Sequence, residues 1–352
     1  MFRIGIKVQR EFCPVVFGER FAGRILKKLI AQATPEANDN HLRVIFIIIA
    51  VKISGMGLKQ KIKNLPPVYN AILSVLNRLN YFNWRFHRAF PNYRITPYWQ
   101  ERIAIVKASP DNQKLSRVPE AGKVCSDHQL LSNGLKITLG SYYDYGNTHL
   151  LIENKGVHEP QEEFAFTEAL QFIPPNGTMM ELGSYWAFYS MWFAAFGKAQ
   201  SDRRCLMIEP DPHKMNFGKL NFKLNGLSGT FDLGFITDET DLKSPIPFYS
   251  VDYLMNKHNI SHLNILHSDI QGFELKMLEG CREAMRNQTI DYFFISTHSN
   301  ELHQSCIEKL RAHHYLILCE ANLDQSFSVD GLIVAKRVDA AGPDCIEISK
   351  RQ

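Results

Sequence analysis

The sequence predicts an α/β fold with a doubly wound, mostly parallel sheet, and three observations lead to it. From Thr178 onward, short apolar runs alternate with segments of helical length, the pattern of a parallel sheet covered on both faces. One apolar run ends in Glu181 and Gly183, which predicts a turn directly after a buried strand. The chain closes with two apolar runs, 315–319 and 331–335, without a helix between them, which predicts an antiparallel hairpin at one sheet edge.

The individual elements follow from the period of the apolar residues. We expect strands at 204–208, 229–236, 263–268 and 290–296, and helices at 212–224, 251–257, 273–286 and 301–313. Upstream, the aromatic segment 81–100 predicts a helix, and 108–128 a polar linker. Residues 135–152 predict short β-like runs, with a turn at Tyr145, Gly146 and Asn147. A proline followed by acidic residues predicts a helix that begins near His158 and Pro160.

Four regions follow from these patterns. We expect residues 1–55 to be a dispensable extension, because an ordinary protein start follows Met56 and Gly57. Residues 56–130 form a mainly helical, aromatic region and a linker, residues 131–340 the α/β domain, and residues 341–352 a tail. The apolar run 44–51 is too short to span a bilayer, which requires roughly 20 apolar residues.

Charge and cysteine usage restrict the partners and the compartment. Residues 1–100 contain 16 Lys and Arg against four Asp and Glu, although the whole chain carries only +4. We expect a solvated basic face, with peripheral contact to an anionic membrane as the alternative, and no nucleic-acid partner. The seven cysteines are scattered without a C-x-x-C pair, so we expect a reducing, cytoplasmic location and no metal site. The oligomeric state is left open.

Polar side chains at successive strand ends predict a cofactor site. Glu181, Gly183, Ser184 and Tyr185 form the turn after the first strand, where a helix N-terminus offers free N–H groups. Glu209 ends the next strand, 26 residues beyond Gly183, and is placed to accept hydrogen bonds from both hydroxyls of a ribose. The alternative is that Glu209 caps the helix beginning at Pro212, a role that suits Asp211 better.

Two further strand ends carry the candidate catalytic residues. Asp269 follows the strand 263–268 and is expected to face the same pocket, where three acids would suit a cationic ligand. Asp269 and His267 are candidate bases, and His298, at the end of the following strand, is another candidate for orienting or deprotonating a hydroxyl. Helix capping is the alternative role for Asp269 and His298. A metal-assisted variant with Asp269 and His298 is a weaker alternative, since no cluster has metal-site spacing.

These motifs together resemble those of FkbM-type methyltransferases. The motifs are E-L-G-S-Y-W-A-F-Y-S from Glu181, I-E-P-D-P around Glu209, and H-S-D-I-Q-G-F-E-L-K-M-L-E-G from His267. The family pattern has Asn and Gly where this chain has Tyr185 and Ala187, and Lys where it has His267. The similarity extends over about residues 159–336.

The resemblance implies a Rossmann-like class I domain that uses S-adenosylmethionine, most often to methylate a hydroxyl of a sugar, a glycan or a secondary metabolite. Ala187 is expected to narrow the space for the ligand, and His267 to lack a permanent positive charge. Two alternatives stay open: an NAD-linked oxidoreductase on the same fold, and a non-catalytic binding protein whose cofactor site Tyr185 and Ala187 have closed.

Overall fold

The computed structural model describes residues 66–196 and 202–352, and the chain divides into two compact units, residues 1–75 and 76–352. Of the first unit, only the beginning of helix α1 (Pro66–Arg78) is described. The predicted extension 1–55, with its apolar run, lies outside the described residues. The predicted domain boundaries stay predictions.

Short helices and a small strand pair precede the main sheet in the second unit. They are α2 (Tyr81–Ala89), α3 (Pro97–Ala108), β1 (Gln129–Leu130), β2 (Lys136–Ile137), α4 (Asp144–Glu153) and α5 (Pro160–Leu170). The expectation of β-like runs over 135–152 is therefore wrong beyond Ile137. Gly146, interpreted as a turn residue, lies inside α4, where a Cβ would come within 2.1 Å of the Trp99 ring of α3. The glycine allows two helices to pack closely.

The main sheet confirms the predicted fold class. Within the described ranges it has seven strands: β3 (Thr178–Leu182), β4 (Arg204–Glu209), β5 (Thr230–Leu233), β8 (Leu263–Ser268), β9 (Ile290–Thr297), β10 (Tyr315–Ala321) and β11 (Gly331–Arg337). Their order across the sheet is β10-β11-β9-β8-β3-β4-β5. Strand β11 is antiparallel to both β9 and β10, whereas the others pair in parallel, so the predicted terminal hairpin is present at the sheet edge.

Helices cover both faces of this sheet. They are α6 (Phe188–Ala195), α7 (Pro212–Leu224), α8 (Val251–Lys257), α9 (Glu274–Glu279), α10 (Arg282–Arg286) and α11 (Asn300–Ala312). Neighbouring residues of a strand enter different cores: Met179 joins the cluster with α5 and α6, and Met180 the cluster with α8 to α11. Two-sided burial explains why these strands are continuously apolar in sequence. Across the described residues, no helix combines the length and apolarity needed to cross a membrane.

Two predicted elements are interrupted by glycines. The strand expected over 229–236 breaks at Gly234, where a Cβ would come within 2.4 Å of the Tyr249 ring, and continues as β6 (Phe235–Ile236), paired with β7 (Phe248–Tyr249). The helix expected over 273–286 divides at Gly280 into α9 and α10. The Asp252 carboxylate of α8 accepts the N–H groups of Glu283 and Ala284 at 2.8 and 2.9 Å and so caps α10.

Strands β3 and β8 are parallel neighbours, but the strands that follow β3 are added on one side of it and β8 and β9 on the other. This switch point between β3 and β8 determines where a ligand binds. In open α/β sheets, ligands lie outside the carboxyl ends of the strands at such a switch point. Gly183 follows β3 here with φ +73°, and a Cβ on it would lie 1.8 Å from the Asp269 carbonyl oxygen that follows β8. The glycine is thus required by the close approach of two strand ends, rather than only by a ligand as the sequence suggested.

Replacing Gly183 should therefore destabilise the fold. In Gly183→Ala, the positive φ and the overlap with the Asp269 backbone should together lower the free energy of unfolding by about 3–5 kcal/mol. Gly272→Ala is the matched control: Gly272 has φ +101° but open space around its Cβ position, so only strain of about 1–2 kcal/mol is expected. Urea unfolding of both variants measures the difference, and equal losses would contradict the packing argument.

Candidate functional site

The turn after β3 is held by the acids at the strand ends. Glu181 is buried, and its carboxylate accepts the N–H of Ser190 in α6 at 3.0 Å. Burial raises the pKa of Glu181, while His267 and the Ser190 hydrogen bond oppose the rise. The N–H groups of Gly183 and Ser184 both donate to the Ile208 carbonyl of β4, at 2.9 and 3.0 Å. The turn is therefore fixed before any ligand arrives.

Glu209, at the end of β4, holds this turn from the other side. Its two carboxylate oxygens accept the N–H groups of Tyr185 at 3.0 Å and Asp211 at 2.8 Å. Asp211 itself caps α7 by accepting the His213 N–H at 2.8 Å, so the capping role belongs to Asp211 as expected. A carboxylate has about four lone-pair positions, so Glu209 retains two for a ligand. Burial raises the pKa of Glu209 to about 7.

His267 lies in β8 beside Glu181 in β3 and is almost fully buried. Its Nε2 is 2.8 Å from Glu162 of α5, and its ring stacks on Tyr189 with centroids 4.2 Å apart. Burial opposes a charge on this imidazole, but Glu162 outweighs burial and raises the pKa of His267. Glu162 thus favours a proton on His267, the residue that stands where the family pattern has Lys.

Asp269 and His298 meet at the carboxyl ends of β8 and β9. Asp269 Oδ1 accepts from Gln271 Nε2 at 3.1 Å and lies 3.4 Å from His298 Nε2. A third residue, Asp330 before β11, places its Oδ1 3.3 Å from the same nitrogen. Burial would lower the pKa of His298, but the bonds to Asp269 and Glu274 raise it to about 10. At neutral pH, His298 is therefore a proton donor.

The sequence did not identify Asp330, because its position depends on strand register. Gly331 pairs with Thr297 across the antiparallel β9–β11 contact, so Asp330 and His298 stand beside each other. A Cβ on Gly331 would come within 2.6 Å of the Thr297 hydroxyl. The only signal in the sequence is the polar loop 320–330.

The sequence also missed a buried charge network at the beginning of α5. Its acids were interpreted only as first-turn residues that mark a helix N-terminus, yet Glu159 is largely buried and Glu162 and Glu163 are at most 5% exposed. His158 joins two of them, with Nδ1 2.8 Å from Glu163 and Nε2 3.1 Å from Glu159. Burial opposes the charge on His158, but Glu159 and Glu163 outweigh it and raise the pKa to about 10. Three acids in one turn before a phenylalanine-rich segment was the available signal.

The strand ends surround a cavity of about 260 Å³. Glu181, Glu209, His267 and Asp269 line it together with aromatic rings, among them Tyr142, Tyr143, Tyr185 and Trp186. Trp186 stacks on Tyr142 with centroids 4.5 Å apart and planes 10° apart, which holds both rings in the wall. Ala187 does not line the cavity, because its Cβ faces Gly218 of α7. The expectation that Ala187 narrows the space for the ligand is therefore wrong; it packs against a helix instead.

Residues 233–317, about a quarter of the chain, match the sequence profile of the FkbM methyltransferase domain. This segment is similar to the FkbM methyltransferase domain. The matched segment includes Asp269 and His298, whereas Gly183 and Glu209 precede it. The resemblance drawn from the three motifs is confirmed, and with it the coarse function of an S-adenosylmethionine-dependent methyltransferase.

Several solved structures are similar to this methyltransferase chain at low identity. A precorrin-6y C5,15-methyltransferase from Geobacter metallireducens shares 11% identity at a TM-score of 0.34, over 50% of this chain and 88% of that chain. A putative class I S-adenosylmethionine-dependent methyltransferase from Listeria monocytogenes shares 11% identity at a TM-score of 0.36, over 51% of this chain and 59% of that chain. A putative rRNA methylase from Clostridium thermocellum shares 8% identity at a TM-score of 0.37, over 51% of this chain and 97% of that chain. TM-scores this low carry no weight for function. The comparison with curated proteins gives no match.

The residues of the methyltransferase cavity fit S-adenosylmethionine. Ser184 Oγ and His267 Nδ1 are buried without hydrogen-bond partners among the described residues, and both residues line the cavity. Buried polar atoms without partners cost about 1–3 kcal/mol each, so their presence points to a polar ligand. Acids suit the cationic groups of this cofactor and aromatic rings suit its adenine, which matches the lining.

His158 should make the stability of the methyltransferase domain depend on pH. Its pKa in the fold, about 10, exceeds the ordinary 6.5, so the stabilisation is complete below pH 6.5 and is lost as pH rises through 10. At pH 7, the free energy of unfolding of His158→Gln should be about 3–5 kcal/mol lower than that of the wild type, because two buried carboxylates lose their cation. Near pH 10.5 this difference between the two free energies should shrink by at least half, since both proteins then mostly have a neutral side chain at position 158.

Urea unfolding at the two pH values measures the gap. His262→Gln, which removes a histidine with a 41% exposed side chain, is the control and should leave the free energy of unfolding nearly unchanged. A gap for His158→Gln of the same size at both pH values would show that the ion pair does not cause it.

Proposed function

We propose that the protein is an O-methyltransferase that acts on a hydroxyl of a sugar, a glycan or a secondary metabolite. The observation that supports this proposal is the position of Asp269. It lines the cavity beside Glu209 and also contacts the polar group of Gln271, His298 and Asp330 at the edge of the cavity. One carboxylate thus borders both the cofactor side and a polar acceptor side.

Four residues would hold S-adenosylmethionine. Glu209 would accept the ribose hydroxyls with its two remaining lone-pair positions, and Ser184 and Gly183 would border the methionine part. His267, whose protonated form Glu162 favours, would donate a hydrogen bond from its unpartnered Nδ1 to the carboxylate of the cofactor. This role suits His267 better than that of a base. When bound, S-adenosylmethionine supplies a methyl group on a positively charged sulfur.

Asp269 is the residue best suited to receive the proton of the acceptor hydroxyl. Its Oδ1 is engaged by Gln271, which leaves Oδ2 for the acceptor. His298 already carries a proton at neutral pH and would hold Asp269 and Asp330 in place rather than act as the base. Since methyl transfer disperses charge rather than creating it, holding the acceptor oxygen in line is the larger contribution of the protein.

The alternatives are disfavoured by separate observations. The FkbM match disfavours an NAD-linked oxidoreductase, and a nicotinamide-fluorescence titration tests it directly. The cavity behind Tyr185 and Trp186 disfavours a closed, non-catalytic site. A cytoplasmic location stays part of the proposal, supported by the absence of disulfides among the described cysteines.

Two substitutions should separate cofactor binding from turnover. Glu209→Ala removes both acceptors for the ribose and should weaken the binding of S-adenosylmethionine at least 100-fold, since a hydrogen bond to a charged group contributes about 1.5–3 kcal/mol. Asp269→Asn keeps the size of the side chain and should mainly lower turnover, with cofactor affinity within about fivefold of the wild type.

Isothermal titration calorimetry with S-adenosylmethionine measures affinity, and the mass gain of one methyl group on a panel of sugar and metabolite hydroxyls measures turnover. Near-normal affinity in Glu209→Ala would refute the ribose assignment. No mass gain on any hydroxyl, with gain on amine or carbon acceptors, would refute O-methylation while leaving the methyltransferase class in place.

A further inference from the structure

Three side chains at the edge of the cavity have possible metal-ligand atoms close to one another. Asp269 follows β8, His298 follows β9, and Asp330 precedes β11, and one ligand atom of each lies within 4.8 Å of those of the other two. The group is partly buried, with side-chain exposures of 28%, 17% and 18%. Two carboxylates and one imidazole nitrogen are a common ligand set for divalent metal ions.

The spacing of the histidine nitrogen from the two carboxylates is that of ligands around an ion, and the amide of Gln271 contacts two of the ligand atoms. His298 Nε2 lies 3.4 Å from Asp269 Oδ1 and 3.3 Å from Asp330 Oδ1. Gln271 Nε2 lies 2.8 Å from His298 Nε2 and 3.1 Å from Asp269 Oδ1, so this amide has to turn away when an ion binds. Atoms about 2.1 Å from the same ion lie about 3.0 Å apart in octahedral and about 3.4 Å apart in tetrahedral geometry.

A residue outside the group orients the histidine as in many metal sites. Glu274 Oε1 lies 2.8 Å from His298 Nδ1, which fixes the ring so that Nε2 faces the two carboxylates. Metal-binding histidines almost always donate their other N–H to such a group. Glu274 is completely buried, and its Oε1 also accepts the Gly272 N–H at 3.0 Å, whereas its Oε2 has no partner among the described residues.

We propose that Asp269, His298 and Asp330 bind a divalent cation of the Mn²⁺ or Mg²⁺ type. Binding of the ion displaces the proton from His298 Nε2 to solvent, because only an unprotonated ring nitrogen can be a ligand. Three protein ligands leave coordination positions for water and for an acceptor, and Asp269 places those positions next to the cavity. The ion binds the oxygen of the acceptor hydroxyl and lowers the pKa of that hydroxyl, which favours acceptors with two neighbouring hydroxyls that chelate the ion. This second part rests on the proposed O-methyltransferase function, whereas binding of the ion does not.

Calorimetry with Mn²⁺ alone, on the full chain without an affinity tag, tests the site, and electron paramagnetic resonance counts the bound ions. We expect one Mn²⁺ per wild-type chain. Asp330→Asn should weaken the affinity at least tenfold, because it removes one anionic ligand, and Glu274→Gln should weaken it about 10- to 100-fold by releasing the histidine. His262→Gln removes a half-exposed histidine elsewhere and should leave the affinity unchanged.

Circular dichroism and the melting temperature establish that each variant is folded, and His298→Gln replaces Asp330→Asn if the latter does not fold. No binding to the wild type, or equal affinity in wild type and folded variants, would overturn the proposal and leave an adventitious ion only. Binding of S-adenosylmethionine is titrated on the same preparations. A wild type that binds S-adenosylmethionine but not Mn²⁺ contradicts the ion site, whereas a wild type that does not bind S-adenosylmethionine contradicts the proposed function.

Discussion

The approach of Gly183 to the backbone of Asp269 is the contact on which the rest of the site depends. Parallel strands β3 and β8 end at the same sheet edge, and the chain after each must turn in opposite directions. The two turns pass so closely that a side chain on Gly183 would overlap the Asp269 carbonyl. The Asp269 N–H also donates to Leu182 at 3.0 Å, so the turn and the carboxylate move as one unit. A carboxylate borne by such a unit is positioned before a ligand binds, which is where positioning contributes most to rate.

Buried charge is the second constraint, and part of it lines the cavity. His267 pairs with Glu162, and His158 pairs with Glu159 and Glu163; of these, His158, Glu159 and His267 border the cavity. Buried ion pairs are rarely favourable compared with apolar packing, so their presence needs a reason other than stability. Favouring a proton on His267 beside the cavity is such a reason, since the family pattern has Lys at this position.

The sequence predicted what depends on local pattern and missed what depends on register. Parallel strands and the terminal hairpin were predictable because two-sided burial makes strands continuously apolar. Gly146 was misinterpreted, because a glycine in a turn and a glycine under a tryptophan ring look the same in sequence. Asp330 could not be found, since its approach to His298 depends on the pairing of Gly331 with Thr297. The acids of α5 were interpreted only as residues that mark a helix start, because the helix dipole explains acids at that position equally well.

The site divides between two kinds of structure, and this division bears on acceptor choice. Glu181, Glu209 and His267 belong to parallel strands that are buried on both faces, so changes there disturb the core. Asp330 ends the loop between the edge strand β10 and its neighbour β11, and loops tolerate changes in length and composition more readily. The cofactor side is therefore fixed by the fold, while residues 322–330 are open to change. For the proposed O-methyltransferase, a loop that contributes a carboxylate to the edge of the cavity can alter which hydroxyl reaches Asp269 without altering how the cofactor binds.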